Sequence, residues 1–271
     1  MNEQDLMEQE KQLKEKMSKI KHSLIVMSGK GGVGKTTVAV NLAYALSLAG
    51  KSVGILDIDL HGPNIAKMLG IENYSISAHQ LGIEPVLVSA NLKAVSIALS
   101  GYNPDQPIIW RGPAKAAVIR QFLSDVNWGD LDYLVIDSPP GTGDEPLSAC
   151  QLIPNLSGII IVTTPQDVAI LDARKSVLFA QEIKVPIVGV IENMSGFICP
   201  HCQVETNIFK RGGGEKAAQG LKVPFLGRVP FQPEFVDFGD KGTPFVSFQE
   251  KSKSAEAFLS IVDKIKEFVE R

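Results

Sequence analysis

The stretch SLIVMSGKGGVGKTT, residues 23–37, decides the fold of this 271-residue chain. Its apolar part, residues 23–28, predicts a buried β-strand, and the pattern G-x-x-x-x-G-K-[ST] follows at Gly29–Thr36, where a predicted helix opens. Glycines in such a loop let backbone N–H groups turn around phosphate oxygens, and the helix N-terminus adds favourable partial charge. The stretch therefore predicts a phosphate-binding loop, called the P-loop below.

The P-loop residues are individual candidates for nucleotide contact. The predicted contacts are Gly29, Lys30, Gly31, Gly32, Val33, Gly34, Lys35, Thr36 and Thr37. Lys35 is expected to reach the β- and γ-phosphates, and Thr36 is expected to bind Mg²⁺. Lys30 is an additional lysine inside the loop, and taken alone it is equally compatible with a solvated side chain.

Apolar runs and helical patterns alternate along the rest of the chain. Further strands are predicted at 52–59, 131–138, 158–164, 186–193 and 223–230, and helices at 35–49, 113–126, 167–183 and 212–221. Continuous hydrophobicity is typical of strands buried on both faces. The alternation predicts an α/β fold with a doubly wound, mostly parallel sheet. A hairpin predicted around residues 86–99 interrupts the rhythm.

Composition and the chain ends exclude several classes of protein. The net charge of -3 does not favour nucleic-acid binding, and no apolar run approaches the roughly 20 residues that span a bilayer. The N-terminus has no apolar signal segment, so a cytoplasmic location with reduced thiols is expected. Residues 1–21 are expected to form a loose charged arm. Residues 252–270 carry an apolar stripe that favours a helix closing the sheet flank over a helix on a membrane surface.

Acidic residues end two of the predicted strands. Asp57 and Asp59 close the second strand, and Asp137 closes the third. Open α/β sheets bind ligands at the carboxyl ends of their strands, so Asp137 is expected to hold Mg²⁺ directly or through water. The following segment PPGTGDE, residues 139–145, predicts a glycine-rich switch loop that senses the γ-phosphate.

A cysteine pair, Cys199 and Cys202, poses a separate question. Inert buried thiols, a redox dithiol and half of a metal site are the three interpretations, and a metal site with four thiolates would need a second copy of the chain. Cys150 lies in an apolar helical stretch and is expected to belong to the core. Zinc and iron–sulfur clusters both accept four thiolates, so these residues alone leave the metal open.

Several motifs together resemble the deviant Walker A ATPases, the class that includes MinD and ParA. They are GKGGVGKTT, LDIDLHGPN and VIDSPPGTGDE. With VTTPQ, VIENMSGFICPHC and VPFLGRVPFQP, the resemblance narrows, from about residue 22 to 265, to the Mrp (ApbC-type) iron–sulfur cluster carrier ATPases. A GTPase N-K-x-D motif is absent from the sequence, which favours ATP.

The resemblance implies roles for particular residues. Lys30 would reach nucleotide across a dimer interface, Asp59 would orient the attacking water with Asp57 in support, and Asn193 would read the purine base. Cys199 and Cys202 of two protomers would jointly hold a bridging [4Fe–4S] cluster.

The resemblance also implies a function and partners. The expected protein is a homodimeric ATPase that uses ATP and Mg²⁺ and passes clusters to apo-proteins, with cluster scaffold proteins as further partners and neither nucleic acid nor membrane. Residues 22–271 would form one P-loop ATPase domain with the C-x-x-C knuckle inserted. The alternatives are a MinD/ParA-like positioning ATPase and a zinc-stapled dimeric regulatory ATPase.

Overall fold

A mostly parallel β-sheet forms the centre of the computed structural model, which describes residues 3–76, 78–79, 82–101, 112–202, 204–247 and 252–271. The strands are β1 Ile20–Met27, β2 Val53–Asp57, β3 Ala78–His79, β4 Gly82–Ile83, β5 Val86–Ser89, β6 Leu92–Val95, β7 Leu131–Asp137, β8 Leu156–Thr163, β9 Ile187–Ile198, β10 Glu205–Thr206 and β11 Phe225–Phe231. The main sheet has the order β10-β9-β8-β1-β7-β2-β6-β5, with β11 also paired to β9. Strands β3 and β4 form a separate pair.

Helices cover both faces of this sheet. They are α1 Glu3–Met17, α2 Lys35–Leu48, α3 Ile65–Met68, α4 Gly112–Asp125, α5 Asp144–Leu152, α6 Asp167–Glu182, α7 Gly213–Leu221, α8 Glu234–Asp240 and α9 Lys253–Val269. Alternate residues of β1 enter opposite cores. Leu24 and Val26 pack with α2 and α9, whereas Ile25 and Met27 pack with α1, α4, α5 and α6. The predicted doubly wound α/β fold is therefore confirmed.

Strand order places the P-loop at a switch point. Strand β1 pairs in parallel with β7 on one side and with β8 on the other. Chain crossovers leave this point in opposite directions, which opens a crevice at the carboxyl ends of the strands. The P-loop follows β1 and Asp137 ends β7, so both lie at the crevice.

Most of the predicted elements are present. Antiparallel pairing of β5 with β6 confirms the hairpin. Helix α9 buries Phe258, Ile261, Val262 and Ile265 in the core, which confirms its role in closing the sheet flank. Strand β9 runs five residues beyond its predicted end at residue 193.

The expectation of a loose N-terminal arm is wrong for the described residues. Glu3–Met17 is helical, and Leu13 and Met17 are buried in the core cluster that α4 also lines. Most of the stability of a helix comes from tertiary packing, and Leu13 and Met17 supply such packing here. Strand β1 begins at Ile20, before the predicted boundary at residue 21. The assignment of 22–271 as one domain stays a prediction.

Candidate nucleotide site and metal centre

The P-loop joins the end of β1 to the start of α2. Gly32 and Gly34 both have φ of 79°, in the left-handed region that residues with a Cβ rarely adopt. A Cβ on Gly34 would lie 2.3 Å from Nδ2 of Asn193, so this turn also needs glycine for space. No side chain caps the N-terminus of α2, which leaves its first N–H groups available to an anion.

Lys35 is a buried ammonium balanced by two carboxylates. Its Nζ donates to Oδ1 of Asp137 at 2.7 Å and lies 3.7 Å from Oδ2 of Asp59. Its side chain is only 7% exposed. A buried charge is costly without such partners. The three groups converge from α2, β7 and the loop after β2.

Thr36 and Asp137 present the oxygen atoms that Mg²⁺ prefers. Thr36 Oγ1 donates to the second carboxylate oxygen of Asp137, Oδ2, at 2.6 Å. A hydroxyl and a carboxylate side by side, facing a phosphate loop, match the usual protein ligands of this hard cation. The donor set therefore fits Mg²⁺, which Thr36 and Asp137 would hold.

Asp57 is buried completely beside this pair. Register places it opposite Asp137 on the neighbouring strand, and it accepts hydrogen bonds from Ser96 Oγ at 3.0 Å and the Asp59 N–H at 3.1 Å. Burial, followed by the negative charge of Asp137, raises the pKa of Asp57 to about 8. Burial also raises the pKa of Asp137, and the nearby Lys35 ammonium offsets part of that rise.

A cavity of about 500 Å³ lies over the P-loop. Its lining includes Lys30, Gly31, Gly32, Gly34, Lys35, Thr36, Thr37, Asp59 and Asn193 from the predicted set. Gly29 instead faces α6, where a Cβ would meet the backbone of Asp172 at 2.2 Å, and the Val33 side chain is buried in the core. The remaining wall includes Met194, Pro230, Phe231, Phe235 and Val236. A lining that combines P-loop residues with apolar and aromatic side chains suits a nucleotide.

Three of the predicted residues line this cavity and differ in their contacts. Asp59 Oδ1 accepts from the Gly62 N–H at 3.3 Å, which steadies a carboxylate near Lys35. Lys30 is half-buried, and within the described ranges its ammonium forms no ion pair. Asn193 Nδ2 donates to the Val33 carbonyl at 2.9 Å, so this amide holds the P-loop. Reading of the purine base by Asn193 stays a prediction.

The cysteine pair forms an exposed turn directly after β9. The Cys199 N–H donates to the Val204 carbonyl at 3.1 Å, which closes the turn. Hydrogen bonds from the backbone N–H groups of Cys202 and His201, and then from the Cys202 thiol, lower the pKa of Cys199. Cys202 is exposed and Cys199 is half-buried. An accessible thiolate stabilised by backbone N–H groups is chemically suited to bind a soft metal.

One chain supplies too few ligands for a closed metal site. Among the described residues, no group of three or more His, Cys, Asp or Glu side chains is arranged to hold a metal. Cys150 does not add to the pair, because it is buried in α5 and burial raises its pKa to about 12. Its predicted core position is confirmed.

Sequence reasoning missed a buried anchor on β9. Glu192 is fully buried, and its carboxylate accepts from the Gly212 N–H at 2.8 Å and from the Gly214 N–H, both at the start of α7. Arg228 Nε lies 3.8 Å from the same carboxylate. A charged residue within an otherwise apolar strand, followed by the glycine run at 212–214, was the available signal. This anchor fixes β9 one residue before Asn193.

The fold and the site together define a P-loop NTPase. A family model described as "ParA: NUBPL iron-transfer P-loop NTPase" matches residues 19–266. The chain belongs to this family of iron-transfer P-loop NTPases, and the family predicted from its motifs is confirmed.

Individual relatives agree with this assignment. The iron-sulfur cluster carrier protein of Methanocaldococcus jannaschii is 53% identical over 265 residues, which cover 98% of this chain and 91% of that protein. The cytosolic Fe-S cluster assembly factor NUBP2 homolog of Nematostella vectensis is 46% identical, covering 91% and 93%. A solved nucleotide-binding protein from Archaeoglobus fulgidus in complex with ADP has a TM-score of 0.76 at 38% identity, covering 86% and 91%.

Hydrolysis should depend on Lys35 and Asp59 in different ways. Lys35→Ala should abolish ATP binding, because the loop loses the ammonium that faces the phosphates. Asp59→Ala should bind ATP but hydrolyse it at least about 100-fold more slowly, as loss of a positioned catalytic carboxylate typically does. Calorimetry and phosphate release measure the two effects. Asp130→Ala, at the opposite end of β7, serves as control. Wild-type turnover in Asp59→Ala would show that Asp59 does not position the water.

The raised pKa of Asp57 predicts a pH dependence of stability. The folded state retains this proton up to about pH 8, whereas an ordinary unfolded Asp loses it near pH 4. Stability contributed by the protonated group is therefore lost as pH rises across this window, with a slope of at most about 1.4 kcal/mol per pH unit. Asp57→Asn, which is neutral throughout, should flatten the loss. Urea unfolding from pH 5 to 8 in EDTA tests this, and identical slopes in both proteins would contradict it.

Proposed function

We propose that this chain is an ATP-hydrolysing carrier that binds an iron–sulfur cluster between two copies of itself and delivers it to apo-proteins. The observation that carries the proposal is the accessible Cys199–Cys202 turn, whose two thiols could supply half of a four-thiolate site in a chain that also has a P-loop. The naming of the Methanocaldococcus jannaschii relative as an iron-sulfur cluster carrier supports the choice of cargo.

In the proposed mechanism, ATP hydrolysis uses residues that lie close together in the structure. Lys35 would exchange its carboxylate partners for phosphate oxygens, which releases Asp59 toward the attacking water. Bound Mg²⁺ would supply positive charge that offsets the negative charge developing on the phosphates. Asp137 and Thr36 would hold this ion, and the Asp57 carboxyl behind them would keep the loop after β2 in place through its contact with the Asp59 N–H.

The cargo end requires a second chain. Two thiolates leave a [4Fe–4S] cluster half-ligated, and two symmetry-related turns supply the usual four. The exposed Cys202 leaves the turn accessible to a partner turn, and the lowered pKa of Cys199 favours the thiolate that iron binds. Recipient apo-proteins and cluster scaffold proteins would then exchange the cluster through the same accessible turn.

Cluster binding should fail when either cysteine of the turn is lost. Cys199→Ser and Cys202→Ser should lose most iron and sulfide after anaerobic reconstitution, because two thiolates from a dimer cannot hold a stable cluster. Cys150→Ser is the matched control and should keep the cluster. Wild type should hold about four iron and four sulfide per dimer.

Three results would overturn the proposal that two protomers share one cluster. They are a full cluster on a strictly monomeric protein, cluster loss only in Cys150→Ser, and zinc without iron in protein purified anaerobically from cells. The visible absorption spectrum separates the last case, since zinc is colourless. Nucleotide affinity should be unchanged in all three cysteine variants, because the thiols lie outside the nucleotide cavity.

Lys30 should act across the dimer rather than within its own site. Lys30→Ala should bind ATP within about threefold of wild type but lose the rise in specific ATPase activity with protein concentration, since a trans-acting charge operates only when two chains meet. Lys11→Ala, an exposed lysine on α1, is the control. The trans-acting role would be refuted if wild type and Lys30→Ala had the same specific ATPase activity and this activity did not change with protein concentration.

A further inference from the structure

Strand β9 physically connects the nucleotide cavity to the cysteine turn. Asn193 and Met194 line the cavity, and Cys199 follows Asn193 by six residues, which places the two no more than about 22 Å apart. Strand β8 pairs with β9 only as far as Glu192. Beyond that residue β9 is held by β11 and by the short strand β10.

This last part of β9 contains a bulge. In the pairing of the two strands, Val229 of β11 lies opposite Asn193 of β9, and Phe231 lies opposite Phe197. Strand β11 therefore advances by two residues where β9 advances by four. Met194 has φ of 54° and Gly196 has φ of 88°, both left-handed. Such a conformation is uncommon for methionine and persists only where the surroundings impose it. A bulge re-aims the residues that follow it.

The start of the bulge is anchored to the nucleotide site. The Asn193 amide holds the Val33 carbonyl of the P-loop, and the Ser195 hydroxyl donates to the buried Glu192 carboxylate. Met194 lines the cavity, and its Cε would be 3.7 Å from a Cβ built on Gly34. A nucleotide in the cavity therefore meets the bulge directly.

The end of the bulge is anchored to the cysteine turn. The Phe197 ring lies 6.1 Å from the ring of Phe231, and Phe231 also lines the cavity. Phe197 and Ile198 pair with β10, the strand that returns from the turn. A Cβ on Gly196 would approach Oε1 of Glu205 in β10 to 2.6 Å. The ring of Phe231 therefore contacts the residue two positions before Cys199.

We propose that the Met194–Gly196 bulge and the Phe197–Phe231 ring contact couple occupancy of the nucleotide cavity to the conformation of the Cys199–Cys202 turn. Phe197 and Phe231 act as positioning residues in this coupling. The biological use of the coupling rests on the proposed carrier function. The coupling itself is a property of the metal-free chain and can be measured without any cluster.

Thiol reactivity provides the measurement. The parent is the Cys150→Ala protein, reduced and metal-free, and the probe is iodoacetamide with and without saturating ADP, read by fragment-ion mass spectrometry. Cys199 does not line the cavity, so ADP cannot shield it directly. ADP should slow alkylation of Cys199 by about fivefold or more, the lower end of ordinary coupling between sites, because it fixes the bulge and the turn behind it.

Variants of Phe197 distinguish an effect on the coupling from an effect on nucleotide binding. Phe197→Leu, which removes the ring contact outside the cavity, should reduce the ADP effect to less than about twofold while ADP affinity stays within about threefold of the parent. Phe197→Tyr should retain the effect. Phe225→Leu, a half-buried phenylalanine at the other end of β11, is the matched control and should retain it too.

Two results would overturn the proposal: no effect of ADP in the parent, or an undiminished effect in Phe197→Leu. If Phe197→Leu does not fold, Gly196→Ala decides the question, since a residue with a Cβ is strained at this φ of 88° and the changed bulge should abolish the ADP effect. Protection by ADP in a protein that never binds a cluster would leave the coupling intact and refute the carrier function. A bound cluster without protection of Cys199 by ADP would refute the coupling and leave the carrier function intact.

Discussion

Lys35 is a buried ammonium, and a charge removed from water needs partners of opposite charge. Asp137 and Asp59 provide them from neighbouring strand ends, at 2.7 and 3.7 Å. This contact requires β1, β2 and β7 to lie side by side with their carboxyl ends aligned, which is the arrangement that the sheet order provides. The same geometry leaves the N–H groups of the P-loop and of α2 facing the space that a phosphate would occupy.

Burial of two carboxyl groups close together beside Lys35 costs free energy. Asp57 and Asp137 are opposite each other in register and both are buried, so burial and mutual repulsion raise the pKa of Asp57 to about 8. Hydrogen bonds from Ser96 and the Asp59 N–H hold the carboxyl in place. The loop after β2 is thereby fixed close to Lys35 at some expense in stability, a trade that is common where a site is built for function.

Strand β9 connects the nucleotide site to the cysteine turn. Glu192 anchors it to the start of α7, Asn193 holds the P-loop, and the cysteine turn follows directly after its last residue. Because one strand carries all three features, β9 is the element through which the proposed coupling between the cavity and the turn would act.

Local sequence determined the P-loop, the strand-end acids, the α/β alternation and the family, because each depends on residue type and spacing within one short segment. Tertiary structure alone decided the rest. The charged segment Glu3–Met17 is a docked helix because Leu13 and Met17 pack in a core cluster that α4 also lines. Asn193 reaches the P-loop because a single strand, β8, lies between β9 and β1. Glu192 is buried where the N–H groups of Gly212 and Gly214 and the Ser195 hydroxyl donate to its carboxylate. Such contacts join residues that are distant along the chain, and their free energy exists only once the sheet has brought the partners together.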